Sequence, residues 1–101
     1  MKIVIVGSGR VGYTLTEFLS NEGHDITVVD IQAANVDEIV NSFDVLGLAG
    51  NGASVSVQKE AEVHRCDFFI SCAASDETNI MACIVAKSIG SKHTIARVRC
   101  V

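Results

Sequence analysis

No stretch of this chain is long and apolar enough to cross a bilayer. Although 49% of its 101 residues are hydrophobic, the longest unbroken apolar run is Ile80 to Ala86, far short of a membrane span. Met1-Lys2 leads into only four apolar residues before Gly7, too few for a secretory leader. The expectation is a soluble chain that begins where its fold begins, forming one domain over 1–101. A basic patch is also missing. Eight Lys and Arg stand against twelve Asp and Glu, a net charge of −4, and the cations are scattered, which argues against a nucleic-acid footprint. The four cysteines, Cys66, Cys72, Cys83 and Cys100, form no CxxC pair. Zinc needs ligands clustered at short spacings and a secreted disulfide scaffold has a different pattern, so buried free thiols in a reducing cytoplasm are expected.

What is present begins with Lys2 to Gly12, KIVIVGSGRVG. Ile3 to Val6 is a short, β-branched apolar run, the pattern of a strand buried on both faces. It runs straight into Gly7-Ser8-Gly9-Arg10-Val11-Gly12, and a helix is predicted from near Val11. Three glycines in register are weak evidence alone. Between a strand and a helix they form a dinucleotide-binding fingerprint. Gly7 allows the tight turn, Gly9 lets a pyrophosphate approach the backbone, and Gly12 lets the helix lie close to the sheet. Unpaired amides at the helix start, with the positive end of its dipole, suit an anion.

A second signal lies downstream. The segment His24 to Asp30, HDITVVD, reads as another strand ending in a carboxylate eighteen residues after Gly12. An acid about 20 positions on can accept both hydroxyls of an adenosine ribose. Asp30 would repel a 2′-phosphate, and Ile31, Gln32 and Ala33 supply no Arg to welcome one.

The remaining chain alternates β and α. Val11, Leu15, Phe18 and Leu19 share one helical face, with Gly23 as C-cap. The second strand, Ile26 to Val29, precedes a helix from about Ala33 to Ser42 with the stripe Val36, Ile39, Val40 and Phe43. A third strand, Asp44 to Leu48, ends in Ala49-Gly50-Asn51-Gly52-Ala53-Ser54, where Ser54 can cap a short helix through about Glu60. A fourth strand, Phe68 to Cys72, ends in Ala73-Ala74. Ser75 or Asp76 caps the next helix, and Asp76 and Glu77 suit its positive start better than they suit catalysis. That helix, running to Gly90, is apolar almost all round over Ile80 to Ala86, and is expected to be covered by a second subunit or further chain. A fifth strand spans His93 to Val98. This order predicts a doubly wound, Rossmann-like α/β fold with five parallel strands, ending before a sixth, as part of a longer protein.

A hydride-transfer enzyme needs a His or Lys to handle the substrate proton. His24 and His93 stand at amino ends of strands, the wrong edge, and His64 lies before the fourth strand. No Ser–His–Asp, Cys–His or metal-ligand set appears, so no catalytic role is expected.

Together, GSGRVG, the strand ending in Asp30, LAGNGAS, AASDETNIMACIVAK and IARVR resemble the N-terminal domain of the Trk potassium-uptake regulators, the RCK or KTN domain. The match spans Lys2 to Arg99. The resemblance implies a cytoplasmic protein that binds NAD(H) or ATP/ADP, forms dimers or rings, and gates a membrane potassium transporter or channel. It implies that Gly7, Ser8, Gly9, Arg10 and Val11 hold phosphates, with Gly12 completing the cofactor-binding turn, and that Asp30, with Ile31 beside it, holds the adenosine ribose. Gly50 and Asn51 would flank the adenine side, and Ala73, Ala74 and Ser75 the phosphates or second ribose. Arg10 could reach a terminal phosphate or simply be solvated, and Arg97 is a weaker candidate for the same pocket. Asn51 stands where relatives often carry Asp. Two other readings stay open: the cofactor domain of an NAD-dependent dehydrogenase without its substrate domain, and a bare dimerisation module with an empty pocket.

Overall fold

A computed structural model describes residues 1–99. Its five strands are β1 (Lys2–Val6), β2 (Asp25–Asp30), β3 (Leu46–Ala49), β4 (Phe68–Ser71) and β5 (His93–Ala96). The helices are α1 (Arg10–Asn21), α2 (Ala33–Ser42), α3 (Val55–Glu60) and α4 (Asp76–Ile89), with a single 3-10 turn at Val63–Arg65. All strands are parallel, in the order β3-β2-β1-β4-β5, and β1 pairs with both β2 and β4. The chain runs outward from β1 to β3, then returns to build β4 and β5 on the other side. That reversal opens a crevice between β1 and β4 at the carboxyl edge.

The apolar run Ile3 to Val6 is buried throughout, as a central parallel strand requires. Ile3 and Ile5 pack with Ile26, Val28 and Ile39 against the α1–α2 layer. Val4 and Val6 pack with Phe69, Val63, Ala82 and Ala86 against the α3–α4 layer. The fold is therefore the doubly wound, Rossmann-like α/β arrangement that the alternation predicts.

Several local expectations need correction. In α1 the buried residues are Gly12 and Thr16, with Leu15 and Leu19 partly covered, while Val11 and Phe18 (64% exposed) face outward. Gly12 brings the helix so close to the β1 turn that the contact stripe rotates toward the small residues. Strand β3 starts at Leu46 and not Asp44, because its pairing begins where Thr27 meets Leu46. Strand β5 ends at Ala96, opposite Ser71, two residues short of Val98. Ser54 occupies the N-cap position of α3 without capping it; its hydroxyl lies 3.0 Å from that of Ser56. On α4, Ile80, Met81 and Ile84 are exposed, so this chain alone does not cover that face.

Candidate functional site

At the carboxyl edge, backbone amides just past the strands bond back to their neighbours. Gly7 N donates to Val29 O, Gly50 N to Asp30 O, Cys72 N to Val6 O and Arg97 N to Ser71 O, at 2.8–2.9 Å. These bonds fix the loops around a cleft of about 560 Å³, within the range of small-molecule sites. Its lining brings together Gly7, Ser8, Gly9, Arg10, Val11, Asp30, Ile31, Gly50, Asn51, Ala73, Ala74, Ser75 and Arg97. Of the sequence-predicted residues, Gly12 alone stays outside the lining and acts from beneath.

The glycine positions have distinct physical causes. Gly7 sits at φ +98°, and a Cβ there would meet the backbone of Cys72 and Ala73 at 2.9 Å. A Cβ on Gly12 would lie 1.9 Å from the Gly7 carbonyl oxygen, so α1 can start this close to β1 only without one. Above Gly9 there is nothing within 4 Å. Gly9 is also the N-cap of α1 and provides no side-chain cap, and no acid lies in the first turn. The first-turn amides are thus left for an anion. The start of α4 differs: Ser75 Oγ accepts from Thr78 N at 3.3 Å, and Asp76 and Glu77 already answer the dipole. Of the two helix starts at this edge, α1 is the one with neither a side-chain cap nor an acid in its first turn.

Asp30 faces this seat across the β1–β2 boundary. Its Oδ2 accepts from Ser8 N at 2.9 Å and from the Ser8 hydroxyl at 2.8 Å. Its Oδ1 accepts from Gln32 N at 2.8 Å and, at 3.5 Å, from the Asn35 amide. Partial burial pushes the carboxyl up, but the Gln32 amide, the Ser8 hydroxyl and the Ser8 amide outweigh it and hold Asp30 below its ordinary value. The group is an ionised acceptor at neutral pH and lines the cleft. Ile31 beside it is 73% exposed, an apolar lip to the cleft. Asn51 is exposed, and its Oδ1 accepts from Ala53 N at 2.9 Å, a bond within its own loop.

On the β4–β5 side the organising group is Asn79, which sequence reasoning left inside a motif without a role. It is fully buried, and its Oδ1 accepts from the Ser71 hydroxyl and from Ala73 N, both at 2.8 Å. Its Nδ2 donates to Ala73 O at 3.0 Å and Arg97 O at 2.9 Å. One side chain thereby ties α4 to the ends of β4 and β5. Gln58, also buried, ties the Gly52 carbonyl to Ala82 O of α4 at 2.8 and 2.9 Å. Arg99 was missed as well. It lines the cleft, donates a guanidinium hydrogen bond to Ala74 O, and its Nε lies 4.0 Å from Asp76. A second Arg two residues after Arg97 on an extended segment was the available signal.

The histidines lie elsewhere. His24 meets the N-terminal amine at 3.3 Å, His93 stacks on Phe68, and His64 is exposed in the 3-10 turn. Among the described residues no cluster of three or more His, Cys, Asp or Glu could hold a metal, and no helix is long and apolar enough to cross a membrane. Cys66, Cys72 and Cys83 are buried and free, while Cys100 lies outside the described residues. Burial pushes the Cys72 thiol up despite the nearby Arg97 charge.

The architecture is shared with known proteins. The structure superimposes on the NAD(P)-binding domain of an exopolyphosphatase-related protein from Archaeoglobus fulgidus with TM-score 0.85 at 16% identity, covering 97% of this chain and 73% of that one. It superimposes on the AMP-bound Kef C-terminal domain of Shewanella denitrificans with TM-score 0.80 at 16% identity, covering 94% and 57%. These likenesses establish the fold. In sequence, the Trk system potassium uptake protein TrkA of Halomonas elongata is 42% identical over 100 residues, 98% of this chain and 22% of that protein. The chain spans less than half the length of the curated relatives it matches. The family model of the TrkA-N domain matches residues 3–100. With that match over nearly its whole length, the chain belongs to the TrkA-N domain family.

Proposed function

We propose that this domain senses an adenosine nucleotide, NAD(H) or ATP/ADP, and through it gates a membrane potassium uptake system. The carrying observation is the pairing, in one cleft, of an uncapped α1 start with the Asp30 carboxylate. In this reading Gly7, Ser8, Gly9, Arg10 and Val11 hold the phosphates, Asp30 takes the ribose hydroxyls, and Ile31, Gly50 and Asn51 border the adenine. Ala73, Ala74 and Ser75 lie along the phosphates or second ribose. The relatives' description as Trk system potassium uptake proteins supports the transporter as partner, and the NAD(P)-binding and AMP-bound neighbours support the nucleotide. The exposed face of Ile80, Met81 and Ile84 supports assembly of several copies at the cytoplasmic side of the membrane.

The role is regulatory and not catalytic, in keeping with three histidines that all lie away from the cleft. A nucleotide gates transport only if it binds two states of the assembly with different affinities. The test is potassium flux through the full-length protein and its membrane partner while NADH, NAD, ATP and ADP are varied. At least one nucleotide shifts flux, and Asp30→Ala abolishes that shift. Flux indifferent to all four would end the reading.

A further inference from the structure

The eight Lys and Arg form no patch, but they leave one long stretch empty. Residues 11–58 carry seven acids and no Lys or Arg, so the other residues hold five acids against all eight cations. That stretch builds α1 after Arg10, then β2, α2 and β3. One end of the sheet is therefore the acidic end, and β3 is its last strand. Asp37, Glu38 and Asp44 are exposed around it, on α2 and just before β3. A field of one sign steers an oppositely charged partner toward that end.

The outer strand there is unguarded. β3 pairs with β2 on one side, and among the described residues no strand lies on the other. Edges are ordinarily blunted by Lys or Pro, yet Leu46-Gly47-Leu48-Ala49 carries no charge and the chain has no Pro. Leu46 is 64% exposed. Two residues apart, Leu46 and Leu48 share a face of the strand. With Thr27 of β2 they line a groove of about 310 Å³, whose other wall is Glu60, Ala61 and Glu62. Glu62 is shared between Lys2 at 3.3 Å and Arg65 at 3.8 Å. Glu60 is exposed and has no ion pair or side-chain hydrogen bond among the described residues, and Lys59 beside it stays outside the lining. The groove shares no lining residue with the nucleotide cleft. Strand β3 nevertheless leads directly into Gly50 and Asn51 of that cleft, so a segment seated along it adjoins the nucleotide loop.

We propose that this edge docks the membrane partner, through an extended cytoplasmic segment rich in Lys, Arg and aliphatic residues that lies along β3 as a sixth strand. Strand addition supplies backbone hydrogen bonds, and alternate side chains of the added segment reach the groove. An aliphatic side chain covers Leu46 and Leu48, and a basic one meets Glu60. Cytoplasmic loops of membrane proteins carry an excess of Lys and Arg, the complement of this acidic end. The contact rests on the transporter reading above and gives it a place on the fold.

Binding of the full-length protein to its potassium uptake subunit in nanodiscs tests the site, in wild type, Leu46→Lys, Glu60→Gln and Glu60→Lys. Glu17→Lys, on the exposed side of α1, controls for net charge. Synthetic peptides spanning each cytoplasmic loop of the subunit are titrated alongside. Wild type binds one Lys- and Arg-rich loop, more weakly as salt is raised. Leu46→Lys and Glu60→Lys lower affinity for the subunit about tenfold, Glu60→Gln less, and Glu17→Lys by under about twofold, with the melting temperatures of the free proteins unchanged. Unchanged affinity in Leu46→Lys and Glu60→Lys, or equal weakening in Glu17→Lys, would overturn the site while the transporter reading stands. So would loss of a dimer of this chain in Leu46→Lys with subunit binding intact, because the occupant would then be a second copy. A wild-type protein that never binds the subunit, with flux indifferent to every nucleotide, would end both.

Discussion

The Ser8 hydroxyl donates to Oδ2 of Asp30 at 2.8 Å, so two residues proposed to contact opposite parts of one ligand are bonded to each other. With the Ser8 amide on the same oxygen, this pair joins the glycine turn to the end of β2. The carboxylate is thereby aimed into the cleft before any ligand arrives.

Removing the hydroxyl should therefore relax Asp30 without displacing it. Ser8→Ala keeps the amide contact and is expected to lower stability by about 1 kcal/mol, the net worth of one such bond. The Asp30 carboxyl should move up toward its ordinary value. Carbon-detected NMR titration of the side chain reads this directly, and an unmoved Asp30 would show that the hydroxyl contributes nothing.

Acid sensitivity follows with a defined sign. Asp30 sits below its ordinary value in the folded chain, so its contribution to stability is present above the unfolded value and lost as pH falls through the folded one. Denaturant unfolding of wild type and Asp30→Asn across the acidic range isolates it from other carboxylates. The gap between the two proteins should shrink as pH drops. A gap that widened in acid would contradict the assignment.

The two inner glycines separate folding from binding. Gly12→Ala places a methyl 1.9 Å from the Gly7 carbonyl oxygen, and a loss of about 3 kcal/mol is expected from the forced shift of α1. Gly9→Ala meets nothing within 4 Å and has an extended backbone, so stability should change by less than about 1 kcal/mol. Nucleotide affinity should nevertheless fall in Gly9→Ala, because the methyl projects where a pyrophosphate approaches. Thermal melts paired with ligand titration distinguish these outcomes. Full binding by Gly9→Ala would move the phosphates off this turn.

The thiols should be quiet. Burial pushes Cys66, Cys72 and Cys83 up, and none is paired. In a Cys100→Ser background, labelling by a thiol-specific reagent at neutral pH should proceed no faster than unfolding. Rapid labelling of Cys72 would mean that the cleft floor opens in the native state.

Legibility in the sequence varied with the range of the cause. The β1–glycine–α1 unit could be read because each step is local: a β-branched run, a turn at Gly7, and a helix that needs Gly12. Asp30 could be read because its distance from Gly12 reflects one helix and one strand. The outward turn of Val11 and Phe18 could not, since periodicity marks an apolar stripe but not how a close glycine contact rotates it. Asn79 was hidden for a different reason. A buried amide serving four backbone and side-chain partners looks, in sequence, like any polar residue in a helix's first turn. The places of Arg97 and Arg99 along the cleft depend on where β5 ends, and that end lay two residues earlier than the pattern suggested.

The central claim is that Asp30 and the amides of α1 hold an adenosine nucleotide between them. Calorimetric titration of ADP against the full-length protein, wild type and Asp30→Ala, tests it most directly. The account predicts saturable binding weakened by about 1.5–3 kcal/mol, roughly ten- to hundredfold, through loss of hydrogen bonds to a charged acceptor. Equal affinity in the two proteins would contradict it, because the ribose would then be held somewhere else.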